Sequence, residues 1–331
     1  MTIVLEVIIC TCNRASELDR MLAALAFQSQ AKDIVWSVLV VDNGSTDATA
    51  KVVESWRARG SIPGLRSLFE TERGLTPARL RGVRETDAEW IAFVDDDNLL
   101  ATDWIAGMGQ AVAARPEAGG FGGRVIIDWI SPCPDYLKNF GWCFAEQDHG
   151  AEMCELDNLT GAGMVLRREA LEASGWVQRP LLADRTGERL ISGGDVEMVQ
   201  RIRGAGYQLW YAPQCILWHR IPAERTTRRY MLLMNYGLGK GAAAINALGW
   251  VGTYETWTFN AKGNIRLFAR RALQRVARSI VGRDAAMAGL AEAAFAIGFA
   301  RGVVAVRAMP HQQRVEFIGA AQKRKDKDPR I

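Results

Sequence analysis

The feature that most limits how this chain can fold is an alternation. Over the first 115 residues, short apolar runs rich in β-branched residues take turns with segments of helical spacing, and each run ends in a polar loop. Val7–Cys10 is the first run; LDRMLAALAF follows, with Ser16 and Asp19 at capping-box spacing. Val35–Val41 is the second, ended by the turn Asn43-Gly44, with Ser45 placed to cap a helix reaching Arg59. Leu65–Phe69 is the third, and Thr76-Pro77 then puts proline at a first helical position. Trp90–Val94 is the fourth, and Thr102 precedes a helix carrying Trp104. Strands alternating with helices predict an α/β fold: a Rossmann-like, mostly parallel sheet flanked by helices.

In such sheets ligands bind beyond the carboxyl ends of the strands. Thr11-Cys12-Asn13-Arg14, Asp42-Asn43-Gly44-Ser45 and Asp95-Asp96-Asp97 each follow a strand, so all three should line one rim. Three adjacent carboxylates repel one another unless a cation relieves them, and carboxylate oxygens suit Mg²⁺ or Mn²⁺. Strand alternation would send Asp95 and Asp97 to one side and Asp96 to the other. A solvated turn accounts for the same three residues without a metal. The loops at Thr11 and Asp42 could form a nucleoside pocket, Asp42 accepting from a base imide, or serve only as helix caps. GxGxxG and GxxxxGK[ST] are both missing, so neither a dinucleotide fingerprint nor a Walker site is expected.

After residue 115 the pattern changes. Glycine-rich runs at 119–123 and 160–163 bracket a Trp- and Pro-rich stretch that reads as irregular loops and short strands. Thr160–Leu166 and Gln208–Tyr211 are strand-like; Arg168–Ser174 is a short helix ended by Gly175, and Ser192-Gly193-Gly194-Asp195 opens another. Asp195 and Glu197 are either dipole-stabilising residues of a first helical turn or a general base on an acceptor hydroxyl. His219 is either structural or a ligand to the same metal. Arg220, Arg225, Arg228 and Arg229 form either a solvated face or guanidinium contacts to a diphosphate. His149 and His311 receive no role.

Taken together, "IICTCNR", "VLVVDNGSTDAT", "GLTPARLRGV", "WIAFVDDDN", "LTGAGMVLRREAL", "GGDVEM" and "APQCILWHR" resemble the family 2 inverting glycosyltransferases of the GT-A fold. The resemblance implies a hexosyltransferase-type enzyme. It would use a nucleoside-diphosphate sugar donor and a saccharide or lipid-linked acceptor, in polysaccharide or glycoconjugate biosynthesis. It implies that Thr11, Asp42 and Arg79 contact the nucleobase, that Asp95 or Asp96 holds the ribose, and that Asp97 binds Mn²⁺ or Mg²⁺, with Asp95 and His219 as further ligands. Cys12, Asn13, Arg14, Asn43, Gly161 and Arg225 would complete the donor pocket. Asp195 would be the catalytic base, with Glu197 the alternative. Three positions depart from the family pattern: Cys12 where an aromatic is usual, Leu80 where Asn is usual, and Gly194 where Glu is usual. A catalytically silent nucleotide-sugar-binding partner in a polysaccharide assembly is the second reading. The expected domains are a catalytic domain at 1–222, divided into a nucleotide-binding half (1–115) and an acceptor-binding half (116–222), and a helical basic region at 223–331.

Charge separates the same two parts. Residues 1–219 hold 21 Lys and Arg against 30 Asp and Glu; residues 220–331 hold 20 against 7. A basic tail on an acidic body suits an anionic partner. Within 262–283, Ile265, Phe268, Ala269, Ala272, Val276 and Ile280 share one helical side, as in a helix lying on an anionic membrane or packing on the body. Residues 286–306 are apolar but interrupted by Glu292 and Arg301, and read as a buried or membrane-apposed helix rather than a span. The last dozen residues read as disordered. Nucleic-acid binding is not expected, since no aromatic-basic face accompanies the acidic body. The six cysteines form no CxxC pair, and the amino terminus has no basic region before its apolar run. Both point to a cytoplasmic protein, and the basic tail could bring it to the inner face of the cytoplasmic membrane or pack on the body instead.

Overall fold

A computed structural model of the chain describes residues 2–29, 33–182, 193–278 and 283–322. Ser192, Ile280 and residues 323–331, which carried expectations above, lie outside the described residues. The strands are β1 (Ile3–Thr11), β2 (Ile34–Asp42), β3 (Arg66–Phe69), β4 (Trp90–Phe93), β5 (Asn98–Leu100), β6 (Gly120–Trp129), β7 (Cys154–Leu156), β8 (Met164–Arg167) and β9 (Leu209–Ile221). The sheet order is β3-β2-β1-β4-β8-β6-β9-β5, with β7 added beside β9. The first four strands are parallel, as strand–helix alternation requires. Beyond β4 the sheet is mixed: β8 is antiparallel to β4 and β6, β6 is parallel to β9, and β5 and β7 run antiparallel to β9.

The helices flank this sheet. Those of the first half are α1 (Ala15–Ala26), α2 (Thr49–Arg59), α3 (Leu75–Arg84) and α4 (Trp104–Ala114). The second half holds α5 (Arg168–Ser174) and α6 (Gly194–Gly204), and α7 (Arg228–Leu248), α8 (Tyr254–Arg278), α9 (Arg283–Arg307) and α10 (His311–Phe317) follow. Both sheet faces are buried, which is why β1 and β2 are nearly continuous apolar runs. Leu5, Val7, Ile9, Val38 and Val40 pack with α1, α2 and α4 on one face. Ile8, Leu39 and Val41 face the other way, with α3, α5 and α6. Each such side chain contributes roughly 1.5–3 kcal/mol by leaving water.

Several caps differ from expectation because loops from other elements supply them. Asp47, not Ser16, accepts from the N–H of Ala15 at the start of α1 (3.0 Å), and Asp19 instead accepts from the Trp56 indole. Asp47 also caps α2, while Ser45 accepts from the N–H of Asn13. The glycine-rich run after residue 119 is not a loop but the start of the ten-residue strand β6. A side chain at Gly123 would strike the Cys215 carbonyl across the sheet, so the glycines there allow two backbones to meet.

The carboxy-terminal helices have their own core. Gly298 and Gly302 of α9 lie directly against the α7 backbone at Tyr236 and Lys240, and Gly239 of α7 lies against Phe295. The two helices therefore touch backbone to backbone, which only residues without a side chain permit. Phe268 of α8 packs edge-on against Phe295 and Phe299. Of the expected apolar side of α8, Ile265 and Phe268 thus pack with α9 and α7 and Ala272 is buried, while Ala269 and Val276 stay exposed. Residues 286–307 of α9 form one helix long and apolar enough to cross a bilayer by length and composition, yet nearly half of that window is buried against neighbours.

Candidate active site

The register places the sequence-predicted loops at one rim. Thr11 pairs with Asp42 and Ile8 with Phe93, so β1, β2 and β4 end together. Beside this rim lies a cavity of about 760 Å³. Thr11, Cys12, Arg14, Asn43, Arg79, Asp95, Asp96, Asp97, Gly161, Asp195, His219 and Arg225 all line it.

The acidic trio sits in a turn, not on an extended strand end: the N–H of Asn98 donates to the Asp95 carbonyl, and the Asn98 side chain accepts from the N–H of Asp95. Side-chain alternation therefore fails here. Asp96 and Asp97 both turn inward to Arg14, at 2.8 and 3.0 Å, while Asp95 lies toward Arg79 at 3.9 Å and is partly exposed. The Thr11 hydroxyl donates to Asp96 (2.7 Å), and Arg225 reaches Asp97 at 3.0 Å. Burial pushes the Asp96 carboxyl up to about 7 against the pull of Arg14. Burial opposes the Asp97 charge too, but the His219 ring and the Arg14 and Arg225 guanidiniums outweigh it and hold that carboxyl well below the usual range.

His219 arrives through the pairing of β5 with β9, which sets it opposite Asn98. Its Nδ1 lies 2.6 Å from the Phe144 carbonyl, which fixes a proton on that nitrogen. Nε2 then faces Asp97 Oδ1 at 3.5 Å. Protonated, Nε2 is the partner that lowers the Asp97 carboxyl; deprotonated, its lone pair and the carboxylate oxygen converge on one point. That donor pair fits a hard or borderline divalent cation whose other ligands are phosphate and water. No three His, Cys, Asp or Glu side chains converge as a metal site among the described residues, so the expected trio reduces to Asp97 and His219, with Asp95 set apart by the turn.

Asp195 occupies the first turn of α6 and lines the same cavity, its Oδ2 2.7 Å from where a Cβ at Gly161 would stand. Only glycine leaves room for this carboxylate. Glu197, the alternative base, is excluded by its surroundings. It is fully buried and accepts from the N–H groups of Leu181 and Leu182 and from Arg201 at 2.8 Å. Burial pushes its carboxyl up.

Asn13 and Asp42 do not line the cavity. Asn13 holds Thr46, and Asp42 accepts from the N–H of Ser45. Asn43 lines it but is engaged in clamping Glu70, Glu72 and Gly74. The Arg220 guanidinium pairs with Asp128 and that of Arg228 stacks over Tyr136, while the Arg225 guanidinium reaches the Asp97 carboxylate; Arg220 meets the acidic turn only through its backbone N–H, which donates to the Asp97 carbonyl. Sequence reasoning missed Arg73, whose guanidinium lies over Gly44 and donates to Cys12 and the Asn43 carbonyl. It also missed Trp142, Tyr230, Met234 and Leu238, the apolar wall of the cavity.

A central α/β sheet flanked by helices, with an acidic turn and arginines at its carboxyl rim, defines a GT-A type of fold. The family model of glycosyl transferase family 2 matches residues 6–175, just over half of the chain, and the protein belongs to that family. A glucosyl-dolichyl phosphate glucuronosyltransferase of Haloferax volcanii is 23% identical over 54% of this chain and 58% of its own length. The chain thus spans little more than half of that relative. Glycosyltransferase AglE of the same organism is 27% identical over 71% and 72%. Among solved structures, mannosyltransferase PcManGT from Pyrobaculum calidifontis, in complex with GDP-Man and Mn²⁺, superposes with a TM-score of 0.54 at 20% identity, covering 98% of this chain and 88% of that one. S. aureus TarS with UDP-GlcNAc gives 0.50 at 14%, covering 93% and 92%.

Proposed function

We propose that the protein transfers a sugar, with inversion, from a nucleoside-diphosphate sugar to a hydroxyl of a saccharide or lipid-linked acceptor in polysaccharide or glycoconjugate biosynthesis. UDP is the preferred nucleotide. The observation that carries this reading is the shared cavity, which the Asp195 carboxylate lines together with the acidic turn, Arg14 and Arg225. A single in-line displacement needs a base and a diphosphate-binding cluster in one cavity, and one displacement inverts the anomeric centre.

Asp195 takes the proton of the acceptor hydroxyl as that oxygen attacks the anomeric carbon. The bond to the diphosphate breaks on the far side, and Arg14 and Arg225 stabilise the departing charge. Asp97 and His219 would hold Mn²⁺ or Mg²⁺, which neutralises diphosphate when bound. PcManGT, with GDP-Man and Mn²⁺, and TarS, with UDP-GlcNAc, support donor and metal classes of this kind.

Asp195→Asn should lower transfer by about 10²–10⁴-fold while a nucleotide sugar still raises the thermal stability of the variant. A variant as active as its parent overturns the assignment. A parent that is stabilised by the donor but transfers nothing is a silent binder.

A further inference from the structure

One side of α8 packs inside the molecule, so its outward face must be explained separately. Trp257, Ala261, Phe268 and their neighbours face inward. Opposite them, Phe259, Lys262, Arg266, Arg270 and Leu273 fall within an arc of roughly 80° at 3.6 residues per turn. Phe259 is 82% and Leu273 70% exposed. They stand roughly 21 Å apart along the helix, at 1.5 Å per residue, with the three cations between them. The helix holds six Lys and Arg against one acidic residue, Glu255. A solvated face accounts for the cations but leaves two large apolar side chains in water among them. The exposed Leu290, Ile297 and Val304 of α9 lie on the side of that helix away from Phe295 and Phe299, so they belong to a different face.

We propose that this outward face of α8 docks the protein on a lipid bilayer with anionic headgroups. Phe259 and Leu273 enter the interface, and Lys262, Arg266 and Arg270 meet the headgroups. Charge chooses this occupant. An anionic surface attracts this face and repels residues 1–219, which carry nine more acidic than basic residues, so the same field that binds also orients. The docking does not depend on the transferase reading.

The test is flotation of the full chain with vesicles of phosphatidylcholine alone or with phosphatidylglycerol added, across a salt series. The parent should bind only the anionic vesicles, and binding should fall with salt. Replacing the three cations together (Lys262→Gln, Arg266→Gln, Arg270→Gln) should weaken binding by about a hundredfold, roughly fivefold per cation. Phe259→Ser with Leu273→Ser should weaken it as well, while Arg57→Gln on exposed α2 should not. All variants should keep the parent's melting temperature and its stabilisation by nucleotide sugar. That last readout separates failure of docking from failure of the transferase reading. Absent vesicle binding, equal binding to neutral vesicles, or a triple variant that binds like the parent overturns the proposal. So does capture of nucleic acid through these residues in place of vesicles.

Discussion

The two walls of the cavity are built by different means. The rim wall is a set of short loops at adjacent strand ends, locked by charge: Thr11 to Asp96, Arg14 to Asp96 and Asp97, Arg225 to Asp97. The other wall is assembled from distant pieces: a core that joins residues 137–144 to α7 and α9 positions Trp142 and the α7 side chains, while Asp195 stands on α6, which packs on the sheet through Met198, Val199 and Ile202. One wall is held by paired ions and the other by apolar packing. A rim of this kind is stiff and suits a polyanion that recurs in every reaction cycle. A packed wall can vary with the acceptor while the rim stays fixed.

The largest effect that bears on this contrast is the Asp195→Asn loss, confined to turnover. Next is Glu197→Ala. It leaves Arg201 without its buried partner and the Leu181 and Leu182 N–H groups without an acceptor. Denaturant unfolding should show a loss of about 3–5 kcal/mol, and a change below about 1 kcal/mol would show that α6 does not rest on this anchor. Gly161→Ala comes third. Its methyl group would displace Asp195 at a cost of about 1–3 kcal/mol, lowering kcat while donor KM holds; a raised donor KM instead would mean that the walls are coupled. Smallest are Trp142→Ala and Arg73→Ala. The first should raise acceptor KM by up to about tenfold, the worth of one aromatic contact. The second should raise only donor KM, by a comparable factor for one charge-assisted hydrogen bond. If both variants affect the same substrate, the division into two walls is wrong.

The rim was legible in the sequence because strand alternation alone brings Thr11, Asp42 and the acidic turn together. What it could not give was the orientation inside the turn, where an Asn98 hydrogen bond overrides alternation, or the clamping role of Asn43. The packed wall was nearly silent. Trp142 and Tyr230 carry no local signal, and their place depends on contacts between segments far apart in the chain. Strand β6 was hidden because glycine has low strand propensity, while here its missing side chain is what admits the neighbouring backbone. The amphipathic pattern of α8 was legible in part, but the pattern alone does not say what covers the apolar side.

The pairing of Asn98 with His219 has a consequence for how the molecule comes into being. The acidic turn is synthesised early, whereas His219 and Arg225 emerge only after more than a hundred further residues. Until β9 adds itself at the sheet edge, the carboxylates have Arg14 but lack both later partners. Closing this corner is a step of long sequence separation and so belongs to the slow part of folding. A nascent or truncated chain ending before residue 209 should therefore hold a nearly complete rim that is still too negative to retain a nucleotide.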